Sequence, residues 1–234
     1  MKLVGLLDDI EPPERILDIG CGTGQLTRLV ADKFPKAEIV AFDIAGKAVD
    51  VARNRFAGGG KVHFQVANAL TFKSSVPFQL IVSGASFHWV ESLGALFRNV
   101  AGTLSPDGRL IFSMMLHGTL SELRDSRARA VQNKPATTDL PVVGRVTEAI
   151  SAANLNLIKC ETELLRTEYA SATEFLYTLH NTGVTGGVIS SSGAPLNRSE
   201  LAALLADYIG HYQTECGGVF ASFNVMYAVA GHKG

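Results

Sequence analysis

Charge is sparse in this 234-residue chain, at 18% of residues, with Lys+Arg 21 against Asp+Glu 22 and a formal net charge of −1. A near-neutral chain has no global field to attract nucleic acid or an anionic bilayer, so neither is an expected partner and any charge recognition must be local. Cysteine is scarce too. Cys21, Cys160 and Cys216 are odd in number and scattered, with neither disulfide-framework nor metal-ligand spacing, so no metal is expected and a reduced, cytoplasmic protein is. Long hydrophobic runs are missing: in the opening "MKLVGLLDDIEPPE" two aspartates cut off a short apolar stretch behind one lysine. That form is neither a signal peptide nor a membrane span. Internal repeats and long low-complexity tracts are absent as well.

What is present is apolar, at 47% of residues, enough to bury one substantial core, so residues 1–234 are expected to form a single domain. "RILDIG" enters a glycine turn, after which Leu26, Leu29, Val30 and Phe34 recur at helical spacing until Pro35. "EIVAFD" (38 to 43) is a second strand, and Val49, Ala52 and Phe56 share a helix face closed by Gly58 to Gly60. "KVHFQVA" and "FQLIVSGA" are further strands, and Leu93 to Leu104 a helix before the turn "SPDG" and the buried strand "RLIFSMML". Apolar strands alternating with amphipathic helices imply an α/β fold, its mostly parallel sheet covered by helices on both faces.

Beyond residue 117 the pattern loosens. Thr119 with Glu122 reads as a capping box for a helix to about Val131, and "PVVGRVTEAISAAN" as another helix. "LIKCETELLRTEY" is strand-like. The interval 171–211 is expected to be a helical, lid-like insertion before the last strand, "VFASFNVMYAVAG", interrupted by the Gly/Ser-rich "NTGVTGGVISSSGAP". Asn197 and Glu200 form a second cap signature.

Gly20, Gly22 and Gly24 alternate through "ILDIGCGTGQLTRLV". A bare turn between strand and helix lets backbone approach a ligand closely, with free helix N–H groups at its mouth. The dinucleotide fingerprint needs glycine where Gln25 stands, and no P-loop lysine follows. The turn therefore suits a ligand without a pyrophosphate. Asp43 ends the second strand 19 residues beyond Gly24, where a carboxylate can accept from both hydroxyls of a ribose. Asn68, in "VANAL", ends the third and could offer its amide to an adenine edge. A structural turn alone for the glycines, a plain turn former for Asn68 and a small packing side chain for Cys21 are the bland alternatives.

"LDIGCGTGQLT", "AFDIA" and "VANAL" resemble, in order and spacing, the first motifs of the S-adenosylmethionine-dependent methyltransferases. The resemblance implies a Rossmann-like, seven-stranded sheet, with S-adenosylmethionine as cofactor. Cofactor contacts then fall on Asp18, Gly20, Cys21, Gly22, Gly24, Asp43, Ile44, Asn68, Ala69, Ser83 and Ala85. "SGASFHWV", "MMLHGTLSELR" and "EFLYTLHNTGVTG" with "LNRSELAALLADY" resemble the biotin-pathway malonyl-[acyl-carrier protein] O-methyltransferases. That group implies methylation of the free carboxylate of a malonyl thioester, with malonyl-acyl carrier protein or malonyl-CoA as partner. Only fifteen residues precede Ile16, fewer than the resembled enzymes usually carry. Another small acid such as trans-aconitate as substrate, or a non-catalytic binding module, are the rival readings.

An ionised carboxylate needs no general base, so no catalytic pair is expected, only groups that hold the substrate. His88 and Trp89 follow the fourth strand, and Arg124 and Arg127 share a helical stripe with Leu120, Leu123 and Val131. His180 completes the substrate-binding candidates. A basic patch within residues 117 to 145, with Arg129 pointing off the stripe, is expected to dock an acidic carrier protein.

Overall fold

The computed structural model describes residues 2–56, 61–134, 140–181 and 195–233. The glycines 58 to 60 and nearly all of the Gly/Ser-rich stretch expected within the insertion lie outside the described residues. The chain divides into two compact units. The first comprises 1–114, 143–161 and 226–234, the second 115–142 and 162–225.

The elements run α1 (Lys2–Gly5), β1 (Arg15–Ile19), α2 (Gln25–Lys33), β2 (Glu38–Asp43), α3 (Gly46–Arg55), β3 (Val62–Val66), β4 (Phe78–Gly84) and a 3-10 turn over Phe87–Trp89. There follow α4 (Leu93–Ala101), β5 (Leu104–Met115), α5 (Ser121–Ala130), α6 (Val143–Ala152), β6 (Leu155–Tyr169), α7 (Ala172–Asn181), α8 (Arg198–Tyr212) and β7 (Val219–His232). One sheet of seven strands has the order β3-β2-β1-β4-β5-β7-β6. β1 pairs in parallel with β2 and β4, β2 with β3, and β4 with β5. The chain thus steps outward from β1 to β3, then returns to the other side of β1 with β4. That reversal makes β1 and β4 the topological switch point, the place at which α/β sheets bind ligands.

Four of the five residues of β1 are buried, as expected of a strand covered on both faces. In the first unit Ile16, Ile39, Leu80 and Val82 pack with Leu26 and Val30 of α2. The N-terminal helix α1, unmarked in the sequence reading, adds Leu3 to this core, and Leu7 follows it there. The stretch "SPDG" is not a turn before the fifth strand. It lies within β5, where the register slips: Phe78 faces Leu104 but Leu80 faces Arg109, so the extra residues form an irregularity in the strand.

In the second unit α7 and α8 pack on each other, and α5 on α8. Phe175, Leu179 and Tyr208 form its core with Leu120 and Val219. The capping box expected at Asn197 is complete: the Asn197 side chain accepts from Glu200 N–H, and Glu200 accepts from Asn197 N–H. The one expected at Thr119 is absent. The residue preceding α5 is Leu120 in the left-handed conformation, and no side chain caps the helix. Thr119 Oγ1 instead accepts from the Asn224 N–H at 3.0 Å and reaches its carbonyl at 3.2 Å. Buried Glu122 accepts from the Ser222 N–H at 3.1 Å, and Leu120 donates to the Ser222 carbonyl at 2.7 Å. The start of α5 is thus pinned to β7, and the face it buries carries Glu122 and Ser126.

Among the described residues no helix is long and apolar enough to cross a membrane. Because Thr119 joins β7 through both backbone groups of Asn224, Thr119→Val should lower stability to urea by about 1 to 3 kcal/mol. Thr119→Ser should recover most of the loss. A Val variant as stable as the parent would return Thr119 to a local role.

Candidate active site

The glycine turn is left-handed at all three glycines: φ is 71° at Gly20, 53° at Gly22 and 82° at Gly24. Glycine adopts that region without steric penalty. At Gly20 space is also decisive, since a Cβ would stand 2.2 Å from Ser86 Oγ. At Gly22 a Cβ would meet nothing within 4 Å, so that side of the turn is open to a ligand. The turn is tied to β2, because the Phe42 carbonyl accepts from the N–H groups of Gly20 and Cys21.

Asp43 has both oxygens in use. Oδ2 accepts from Gly22 N–H and Oδ1 from Ala45 N–H, each at 2.9 Å. A carboxylate oxygen has two lone-pair sites, so each retains acceptor capacity on this half-buried side chain. Next to it Ile44 is 71% exposed, a large apolar side chain left in water at the ligand end of the sheet. The ends of β2 and β3 are joined by Ala67 N–H donating to the Asp43 carbonyl. Asn68 and Ala69 follow. Asn68 Oδ1 accepts from Leu70 N–H at 2.8 Å, an Asx turn that does not use the amide nitrogen.

Asp18 is wholly buried in β1. Its Oδ2 accepts from Thr27 Oγ1 at 2.6 Å, while Oδ1 has no partner among the described residues. Burial is the largest cause that raises its pKa, to about 7, with the charge of Asp43 adding to it and Thr27 opposing. The Cys21 thiol is raised far above its usual range, chiefly by burial, then by the charges of Asp18 and Asp43. Such a thiol is inert at neutral pH, as a small packing side chain should be.

After β4, Ala85 is itself left-handed, φ 48°, and its N–H donates to the Ser113 carbonyl. Ser83 is wholly buried, and its hydroxyl bonds Ser86 Oγ, which reaches the Ile19 carbonyl. Ser83 thus supports the turn from inside. His88 is buried. Burial lowers its pKa to about 4, so it is neutral at pH 7 and offers a hydrogen bond without charge. The half-buried Trp89 ring lies 5.0 Å from it.

These residues share the first unit. Arg124, Arg127 and His180 fall in the second. Arg124 Nε is 3.5 Å from Asp125, and Arg127 Nε donates to the Lys134 carbonyl. The basic patch is not a free surface either: Arg129 binds Asp207 through Nε and Nη2, and Lys134 pairs with Glu200 at 2.7 Å. Sequence reading missed Thr27 and Ser86, whose roles rest on contacts with Asp18 and Gly20 that no motif announces.

The raised Asp18 pKa fixes a sign. In unfolded chain the group ionises near pH 4; folded, it holds its proton to about 7. Between these values the unfolded state sheds a proton that the folded state keeps, so stability falls as pH rises, then levels off. Asp18→Asn removes this dependence. In ligand-free protein, urea denaturation should show the variant gaining on the parent from pH 4 to 7, by a total on the order of 4 kcal/mol. A constant difference across that window would refute the assignment.

Residues 16–108 match the family model described as "Methyltransferase domain". The chain is 36% identical over 140 residues to the malonyl-[acyl-carrier protein] O-methyltransferase of Acetivibrio thermocellus, across 58% of this chain and about half (49%) of that one. It is 27% identical over 241 residues to the enzyme of the same name from Halalkalibacterium halodurans, across 97% of this chain and 88% of the relative. In fold it is similar to the YcgJ protein of Bacillus subtilis, with TM-score 0.68, 16% identity and coverage of 100% and 99%. Haemonchus contortus phosphoethanolamine N-methyltransferase 2, solved with S-adenosylhomocysteine, gives TM-score 0.62 at 18% identity, across 100% of this chain and 52% of that one. Three left-handed glycines after β1 and a carboxylate ending β2 fall on the same strands as the match to the methyltransferase-domain model, and in these features the chain is similar to the S-adenosylmethionine-dependent methyltransferases.

Proposed function

We propose that this chain methylates the free carboxylate of a malonyl thioester, carried on acyl carrier protein or coenzyme A, in cytoplasmic biotin synthesis. The observation that carries the reading is the reach of the similarity. The Halalkalibacterium alignment covers 97% of this chain, and so extends through residues 115–225 as well as the cofactor-binding strands. The residues present fit the cofactor. The unpartnered oxygen of Asp18 suits the cationic amino-acid end, the remaining lone pairs of Asp43 the ribose hydroxyls, and exposed Ile44 with Asn68 the base.

S-adenosylmethionine supplies an activated methyl group on a sulfonium. The protein's task is then alignment and exclusion of water, since transfer needs nucleophile, methyl and sulfur in line. A substrate carboxylate is already ionised at neutral pH, so no side chain has to remove a proton. His88 and Trp89, beside the strand ends that bear the cofactor residues, are the substrate-side groups in this reading. His88, neutral through burial, supplies a donor for the carboxylate, and Trp89 an apolar wall.

Purified protein with S-adenosylmethionine should methylate malonyl-acyl carrier protein and malonyl-CoA in preference to free malonate or trans-aconitate, read as S-adenosylhomocysteine release. It should also restore growth without biotin to cells lacking the malonyl-carrier methyltransferase. Preference for a free acid would move the reading to a small-acid methyltransferase, and no turnover with saturable cofactor binding to a non-catalytic module. Asp43→Ala should weaken S-adenosylhomocysteine binding by on the order of 2 to 4 kcal/mol by calorimetry. Because Asp43 also accepts from Gly22 and Ala45, the variant should lose some stability as well. Binding within twofold of the parent would remove Asp43 from the site.

A further inference from the structure

Asn99 lies on the buried face of α4, only 8% exposed, with Leu96, Phe97 and Val100 as its buried neighbours on the helix. A primary amide in such a place is costly unless its hydrogen bonds are met. They are met, by a different part of the chain. Nδ2 donates to the carbonyls of Ala69 and Phe72 at 2.8 and 2.9 Å, and Oδ1 accepts from Lys73 Nζ at 2.8 Å. Three of the four bonds open to an asparagine amide are thus spent on the turn that follows β3.

Within that turn the Asn68 carbonyl accepts from the N–H groups of Thr71 and Phe72. Its side-chain oxygen accepts from Leu70 N–H. An N–H can only be met by the amide oxygen, so the orientation of the Asn68 side chain follows from Leu70. Its Nδ2, a donor, makes no hydrogen bond among the described residues, and Oδ1 keeps its second lone pair. The turn is also seated against the ribose residue: Ala67 N–H donates to the Asp43 carbonyl, and the Phe72 ring stacks on Phe42 at 4.6 Å.

We propose that Asn99 is the positioning residue for the cofactor's base: by holding the carbonyls of Ala69 and Phe72 it keeps the 68–73 turn in the form in which Asn68 presents a hydrogen-bond donor to a ring nitrogen of adenine. This rests on reading the site as one for S-adenosylmethionine. The Nδ2 donor matches the N1 acceptor, while the spare lone pair of Oδ1 is the side that suits the N6 amine. Asn99 itself touches no ligand and acts through the turn.

The test compares S-adenosylhomocysteine with its 1-deaza analogue, in which N1 is replaced by C–H, by calorimetry on the full chain. The parent should bind the former about tenfold more tightly, the span of one hydrogen bond. Asn68→Ala should bring that ratio near one. Asn99→Leu should do the same with Asn68 intact, because the turn loses its anchor. A purely structural role for Asn99 would weaken both ligands alike and leave the ratio at the parental value, which would overturn the proposal. Should Asn99→Leu not fold, Lys73→Met, at an exposed position, removes the partner of Asn99 Oδ1 and should lower the ratio in the same direction. An unchanged ratio there would count against the proposal in the same way. Equal binding of the two ligands to the parent overturns this inference alone, whereas no saturable binding of S-adenosylhomocysteine overturns the cofactor reading and the inference with it.

Discussion

The Asp43 carboxylate accepts from Gly22 N–H with one oxygen and from Ala45 N–H with the other. Through that pair of bonds the turn after β1 and the entry to α3 are held to the end of β2. The turn leaves the Gly22 N–H outside the backbone bonds that tie Gly20 and Cys21 to β2, and a donor without a partner costs more than a bond gains. A carboxylate supplies an acceptor that is stronger than a carbonyl and has lone pairs to spare. Gly20 then comes so close to Ser86 that no side chain fits, which brings the connection after β4 against the connection after β1. The crevice of the first unit depends on this cluster.

Asp18 has the opposite character. It lies beneath the same turn with one oxygen unpartnered and burial opposing its charge, so it costs stability at neutral pH in ligand-free protein. Residues kept at such a cost are commonly functional. A cation beside the carboxylate would offset that cost. Asp43 holds the turn in shape through its two backbone bonds, whereas Asp18 lies beneath it with one oxygen unpartnered.

The second unit is assembled by polar contacts between segments far apart in sequence. Thr119 and Glu122 bind backbone of β7, and Arg129 binds Asp207 while its guanidinium lies 5.7 Å from the Tyr212 ring centroid. Arginine can bury its stem and pair its head in this way. The positive charge in this segment is therefore spent largely within the unit. An acidic carrier would have to be recognised elsewhere on the protein or through exchange of these pairs.

Local pattern was enough for much of this. The strand "EIVAFD" occupies β2 to the residue, and "FQLIVSGA" and "KVHFQVA" find β4 and β3, because alternation of apolar strand and amphipathic helix is written in neighbouring residues. The glycine spacing and the distance to Asp43 pointed to the cofactor for the same reason: turn, strand end and ligand contact are set within one βαβ unit. The Asn197–Glu200 cap was legible because both partners lie within one turn of helix. Thr119 and Glu122 show the same signature, yet their partners lie 105 and 100 residues away on β7, and only the packed sheet decides that these win over the cap. Likewise "SPDG" has the composition of a turn, but pairing with β4 carries it inside a strand. Asn99 reads as an ordinary helix residue until the fold sets it against carbonyls 27 and 30 residues upstream. Sequence by itself determined the elements and the cofactor class, which depend on short-range periodicity and spacing. Tertiary structure alone decided which polar groups are spent on one another, because a hydrogen bond is settled by what the folded chain brings within about 3 Å.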